Sequence, residues 1–301
     1  MMSDALVLLR NAQNADGGWG SVKGRRSKTE PTALAVMALQ SRGERSLESD
    51  LERGVQWLVE RQNGGDGGWP LDDVAHGSSW ATALAVISLS SSPKHDSVVD
   101  KGARWVLDQQ GSKPGWLANL LFALSFKKRA VNLNEDLTGW PWASGTFSWV
   151  EPTSYSLMAL KKLRRRLAGT NAEKRIEQGE LMIYDRICEG GGWNYGNKVV
   201  FGEKLWPYPE VTAVALIALQ DHPDAEPNHI SLRALEEMLK QVDSGLALSW
   251  SVICFDLYGK NTAEWKKRLV KNFEKTQFLG ETKSVALSLL ALGDGAKLFR
   301  V

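Results

Sequence analysis

Cysteine is nearly missing from this chain. Cys188 and Cys254 are the only two in 301 residues, which excludes a disulfide-stapled scaffold and a cysteine-rich zinc site and fits a reducing compartment. Long apolar runs are missing as well. The run Ala5-Leu6-Val7-Leu8-Leu9 stops at Arg10, too short for the core of a signal peptide, and nothing later approaches a spanning helix. A cytoplasmic location, at most peripheral to a membrane, is expected. Strong net charge is absent: the balance is +2 with 24% charged residues, so there is no footprint for nucleic acid. Histidine is scarce, and His76, His95, His222 and His229 are scattered beside loop residues, where an isolated imidazole reads as surface. No metal and no cofactor are expected.

Tryptophan, by contrast, is abundant. Thirteen in this length mean heavy aromatic packing or an aromatic cavity wall. Many of them stand at repeating positions. Thr32-Ala33-Leu34-Ala35-Val36 returns fifty positions later as Thr82-Ala83-Leu84-Ala85-Val86, and Gly17-Gly18-Trp19 returns at the same spacing as Gly67-Gly68-Trp69. Related apolar runs follow Thr153 and Thr212, with weaker ones at Trp250 to Leu257 and Val285 to Leu292.

Each unit pairs two kinds of helix. One is amphipathic, with Val55, Leu58 and Val59 on one side and Glu52, Arg53, Glu60 and Arg61 on the other, and belongs outside. The other is apolar or small nearly all round and must be covered on both sides, so it belongs inside. A glycine-rich turn such as Asn63 to Trp69 joins them. Outer helices are predicted near 3–13, 48–62, 98–110, 171–188, 230–241 and 263–275, and inner helices are predicted to begin near 31, 80, 116, 152, 210, 246 and 281. One such pair cannot bury its own inner helix; stacked pairs can, and six or so closing on themselves make a ring. Seven inner starts against six outer ones leave 116–151 irregular, and 132–150 is long enough for an unstructured loop that it should fold over something.

Arg53-Gly54-Val55-Gln56-Trp57-Leu58, then Gln62 and Gly67-Gly68-Trp69, resembles the repeat of the prenyltransferase and squalene-cyclase superfamily position by position. Lys101-Gly102-Ala103-Arg104-Trp105-Val106 with Gln110 and Gly115-Trp116 is similar, with Pro114 in place of the first glycine. Gln13 with Gly17-Gly18-Trp19 is a partial copy, and in Gly179, Met182 and Gly191-Gly192-Trp193 the glutamine position is Ile187. The resemblance implies an all-α chain, an alpha-alpha toroid of (α/α)6 type occupying 1–301 as a single domain. It also implies that Gln62 with Trp69, and Gln110 with Trp116, are structural ties. It does not by itself imply an activity.

Two features of related enzymes are absent. Proton-initiated cyclases of this superfamily carry an Asp-Xaa-Asp-Asp acid motif before an inner helix, and the nearest pair here, Asp72-Asp73, falls in a loop. Protein prenyltransferase subunits hold zinc with Asp, Cys and His, whereas Asp185 and Cys188 end an outer helix with no suitable His. What remains is an asymmetry between the two mouths of the ring. Parallel inner helices gather Glu30, Glu151, Glu210 and Glu281 at one end, either as partners of the helix dipoles or as acids and bases toward a ligand. Trp149, Tyr155, Trp206 and Tyr208 flank two of them. Trp80, Trp250 and Phe255 are further candidates for an aromatic wall that would suit an isoprenoid, because aromatic faces attract developing carbocations. The opposite mouth is basic, through Lys127, Lys128 and Arg129 in one run and Lys161, Lys162, Arg164, Arg165 and Arg166 in another. That is either a solvated face or a patch for an anionic membrane or protein partner. Three functions follow: a cyclase- or transferase-like enzyme with a hydrophobic cavity, a non-catalytic toroid binding a lipid or protein, or an (α/α)6 glycan hydrolase or lyase.

Overall fold

The computed structural model describes residues 1–75, 77–113 and 133–301. Twelve α-helices lie among them: α1 Met2–Asn11, α2 Thr29–Arg42, α3 Glu48–Arg61, α4 Thr82–Leu89, α5 Asp96–Asp108, α6 Val150–Lys162, α7 Ala172–Asp185, α8 Pro209–Ala218, α9 Glu226–Gln241, α10 Gly245–Leu257, α11 Ala263–Thr276 and α12 Thr282–Leu292. The even-numbered helices form the inner ring. Each packs on the next, and α12 packs back on α2, so six helices close the circle. Every odd-numbered helix backs one of them from outside: α1 on α12, α3 on α2, α5 on α4, α7 on α6, α9 on α8 and α11 on α10. The protein is an alpha-alpha toroid. Because α4 packs directly on α6, the ring closes with six inner helices; the seventh start predicted near 116 lies outside the described residues, as do Lys127, Lys128, Arg129 and His76.

Burial follows the sequence pattern. From Ala33 to Leu39 of α2, and from Thr82 to Leu89 of α4, every residue is buried, whereas α3 buries only Gly54, Trp57 and Leu58. An all-round apolar helix has no solvent face to offer, so it sits between the outer ring and the axis.

One tie recurs in the first four turns between an outer and an inner helix. The indole N–H of Trp69 donates to the Leu58 carbonyl at 2.6 Å, and its backbone N–H donates to the Thr82 hydroxyl at 2.8 Å, clamping the turn to both helices. Trp19 does the same with Leu9 and Thr32, Trp140 with Val106 and Thr153, and Trp193 with Ile183 and Thr212. Gln62 adds bonds of 2.8 Å to the carbonyls of Gly67 and of Val98, which opens the next outer helix. In the third turn the structure corrects the expected pairing. Gln110 donates to the Thr138 hydroxyl, and the clamping indole is that of Trp140; Trp116 lies outside the described residues. A longer stretch of chain separates glutamine from tryptophan there than in the other repeats.

The glycines of the signature seat these indoles. A Cβ at Gly102 would lie 2.5 Å from Trp69, one at Gly54 would lie 2.7 Å from Trp19, and one at Gly179 would lie 2.8 Å from Trp140. Each outer-helix glycine is thus the socket for the tryptophan of the preceding turn.

The axis of the ring is filled. A short 3-10 helix, Gly295–Phe299, packs against α2, α4, α10 and α12, while Gln220, just after α8, and Lys162 of α6 donate to the carbonyls of Phe299 and Arg300. Four inner helices thus pack on this segment, and α6 and the residue Gln220 beyond α8 hydrogen-bond to it. Phe299 is 1% exposed and meets Trp250 edge-on at 5.2 Å. From there an aromatic column runs through Tyr155 and Trp80 to Trp142, with ring centroids 6.1, 5.7 and 4.7 Å apart. Among the described residues, these side chains occupy the middle.

Candidate functional site

The inner helices run parallel and bring their N-terminal carboxylates to one mouth. Glu30 opens α2 and Glu151 opens α6, and between them stands a residue that the sequence pattern did not flag, Lys283 in the first turn of α12. Its Nζ lies 2.7 Å from a Glu30 carboxylate oxygen and 3.9 Å from one of Glu151. A cation in a first helical turn works against the helix dipole, and the two carboxylates offset that cost. Burial pushes the Lys283 ammonium toward deprotonation, but Glu30 and Glu151 outweigh it, and the net shift is upward.

Glu151 is held differently. Its side chain is 13% exposed and accepts a 2.9 Å hydrogen bond from the Tyr155 hydroxyl. Burial raises its pKa, Lys283 and the Tyr155 bond pull the other way, and Glu30 and Glu210 add to the rise; burial prevails. Tyr155, fully buried one turn along the same helix, is pushed well above the usual phenol range by burial and then by Glu151. The mouth thus holds a carboxyl poised to be neutral at higher pH than an ordinary glutamate, beside a phenol that stays protonated.

Other predicted site residues separate by position. Trp80 and Tyr155 belong to the aromatic column, which adjoins Glu151 at Tyr155, and Trp250 lies deeper in the same column. Trp149 precedes α6 and is half-buried. Glu210 opens α8 close enough to act on Glu151 electrostatically. Tyr208 is 45% exposed and packs on Tyr195 at 5.5 Å, while Trp206 is 82% exposed and projects from the loop. Phe255 faces away from the axis, against Trp265 of the outer helix α11. Residues 141–148, part of the segment expected to fold over something, bring Trp142 onto Trp80.

The Asp72-Asp73 pair has local work. Asp72 accepts from the backbone N–H groups of Val74 and Ala75, and Asp73 lies 3.8 Å from Arg26. On the opposite mouth the described basic residues are largely neutralised. Lys161 is 4% exposed; it donates to the Ala218 carbonyl at 2.7 Å and pairs with Glu180 at 2.6 Å and with Asp221. Arg164 pairs with Glu173, and Arg166 with Asp96 and Asp100. Lys162 serves the C-terminal segment, and Arg165 is exposed. Among the described residues, Glu180, Asp221 and His222 bring their side-chain oxygens and imidazole close enough to hold a metal ion, but the Lys161 ammonium already pairs with both carboxylates.

Comparison with known proteins agrees with this geometry. Residues 1–79 match the squalene-hopene cyclase C-terminal domain, and residues 63–117 match the prenyltransferase alpha-alpha toroid domain. These overlapping matches make residues 1–117 similar to prenyltransferase and squalene-cyclase repeats. A stretch of 62 residues is 44% identical to (+)-kolavenyl diphosphate synthase of Herpetosiphon aurantiacus, covering 19% of this chain and only 12% of that protein. Over the whole fold, 99% of the chain superposes on 97% of the type II terpene cyclase MstE from Scytonema, with a TM-score of 0.62 and 15% identity. A variant of MstE has been seen with its substrate, geranylgeranyl dihydroxybenzoate. The chain is also similar to an alpha-1,6-mannanase of a Salegentibacter species holding mannotriose, with a TM-score of 0.63 at 10% identity and coverage of 99% and 100%. At such identities these structures show the fold alone. Among the described residues, no helix is long and apolar enough to cross a membrane.

Proposed function

We propose that the protein binds an isoprenoid-type hydrophobic ligand over the acidic, aromatic mouth of the toroid, with Glu151 as the group that exchanges a proton with it. The observation that carries this reading is the environment of Glu151: a buried carboxyl with a raised pKa, bonded by Tyr155 and adjoining an aromatic column. A carboxyl tuned upward acts as a general acid nearer neutral pH, and aromatic faces stabilise positive charge developing beside them by about 0.5–2 kcal/mol each. The likeness to terpene cyclases, one with an isoprenoid substrate bound, supports the ligand class. Because Phe299 fills the axis, the ligand lies across the mouth instead of threading the centre. Without an Asp-Xaa-Asp-Asp motif, protonation of an unactivated alkene is not part of the proposal; Glu151 suits an activated group.

The filled axis also favours a second reading, in which the same mouth binds without turning over. The two separate with one variant. Protein incubated with geraniol, farnesol and their diphosphates is analysed by native mass spectrometry for binding and by gas chromatography for products. In the enzyme reading Glu151→Gln keeps binding and loses product; in the binding reading neither protein forms product. Failure of every isoprenoid to bind would overturn both. The glycan reading is disfavoured by Lys283, whose ammonium bridges Glu30 and Glu151, the gap that a glycosidic oxygen or its attacking water would need.

A further inference from the structure

Away from the axis, between the loop before α6 and the segment after α7, lies a cavity of about 210 Å³. Its wall includes Arg186, Thr138, Ser148, Phe147 and Trp149. Arg186 is 5% exposed, and its Nε pairs with a carboxylate oxygen of Asp185 at 3.5 Å, too far for a good hydrogen bond. That Nε is buried without a hydrogen-bond partner, and among the described residues the guanidinium donates to no acceptor. A buried guanidinium in this state is costly unless something else completes it.

Two hydroxyls beside it are also uncommitted as donors. Ser148 Oγ accepts from the Gly139 N–H at 2.9 Å, and Thr138 Oγ1 accepts from Gln110 at 2.6 Å. Among the described residues neither passes its own proton to a protein acceptor, so both can turn it into the cavity. Glu135 also lines the wall and is engaged in an interaction, and its charge, like that of Asp185, acts on Arg186, so an incoming anion would compete with both carboxylates for the guanidinium. Phe147 and Trp149 form the apolar side, and Trp149 stands two residues before Glu151. The space is below the roughly 300–1,000 Å³ that encloses a whole drug-sized ligand. It suits a head group with the start of a chain.

We propose that this cavity is an oxyanion site, in which Arg186, assisted by the Ser148 and Thr138 hydroxyls, holds the phosphate, diphosphate or carboxylate head of an apolar molecule. The inference deepens the isoprenoid reading above and rests on it for the tail, not for the head. Planar guanidinium binds such oxygens in a fork, with charge-assisted hydrogen bonds about twice as strong as neutral ones.

The test is calorimetric titration of the full chain with geranyl diphosphate, geranic acid, geraniol and inorganic pyrophosphate, repeated on Arg186→Gln and Arg186→Lys, with thermal melts to check that each variant folds. The anionic compounds are expected to bind about tenfold to a hundredfold tighter than geraniol. Arg186→Gln should remove that advantage while leaving geraniol binding unchanged, and Arg186→Lys should keep part of it. The ratio of diphosphate to acid identifies which head group the site prefers. Equal binding of geraniol and the anions, or an advantage that survives Arg186→Gln, would overturn the oxyanion site and leave the isoprenoid reading standing. Arg186-dependent binding of pyrophosphate with no binding of any geranyl compound would do the reverse. Should Arg186→Gln not fold, pyrophosphate competition against geranyl diphosphate on the parent chain decides, and lack of competition counts against the site.

Discussion

Replacing Phe299 by alanine tests whether the centre of this toroid is a packed core. The side chain is 1% exposed, stands edge-on to Trp250 at 5.2 Å, and belongs to a segment packed on four inner helices and hydrogen-bonded by Lys162 of α6 and by Gln220. Phe→Ala in a well-packed core costs about 3–5 kcal/mol, part of it lost transfer energy and part the cavity left behind. The rigid ring of inner helices gives little scope for collapse, so a loss of about 4 kcal/mol is expected. In a domain of this size that lowers Tm by roughly 8 °C, taking about 2 °C per kcal/mol. Urea unfolding followed by tryptophan fluorescence measures the loss directly, since Trp250 lines the new space. The variant should also acquire a dry apolar cavity, and such cavities accept benzene. Benzene at a hundred times its dissociation constant should restore about 2.7 kcal/mol in the variant and nothing in the parent. A loss below about 1 kcal/mol, or a parent that responds to benzene equally, would refute the reasoning. The axis would then be open, and a ligand could thread the ring.

Three further outcomes follow from the same geometry. Gly102→Ala should destabilise the fold by about 1–3 kcal/mol despite alanine's better helix propensity, because the new Cβ would lie 2.5 Å from a pinned Trp69 ring; Gly64→Ala, with nothing within 4 Å, is the control in the same urea assay. Glu151→Gln should change the pH dependence of stability. A carboxyl whose folded pKa is raised contributes most below the unfolded carboxylate range and loses that contribution as pH rises through the raised value, so the variant should gain on the parent above that range and converge with it below, as read from Tm between pH 3 and 8, pH limits being roughly chosen to bracket carboxylate titration. Lys161→Ala should cost about 3 kcal/mol or more in urea unfolding, because it strands the Glu180 and Asp221 carboxylates, whereas Arg165→Ala, at an exposed position, should stay within about 0.5 kcal/mol.

What could be read from the chain alone divides along the range of the interaction. The helix pairs were legible because their evidence is local: Val55, Leu58 and Val59 opposite Glu52, Arg53 and Glu60 make an outer helix, and the apolar run after Thr82 makes an inner one. The gathering of Glu30 and Glu151 at one mouth was legible once the inner helices were taken as parallel, since each sits in a first turn. The third turn was not, because Gly115-Trp116 and Gly139-Trp140 both offer a glycine before an indole, and only the reach of Trp140 to the Val106 carbonyl separates them. Lys283 carried a readable signal after all: a cation in the first turn of a buried helix opposes the dipole and therefore demands carboxylate partners. Lys161, in the apolar run of α6, carried the same kind of signal, and its burial against Glu180 and Asp221 turns an apparent basic patch into an internal ion-pair network. Arg186 and Phe299 had no local mark at all. One follows an ordinary outer helix and the other ends a five-residue turn, and each acquires its role only when distant segments close around it. The residues on which the proposed binding rests are therefore the ones whose significance is tertiary, which is why the repeat pattern predicts the ring far better than it predicts a ligand.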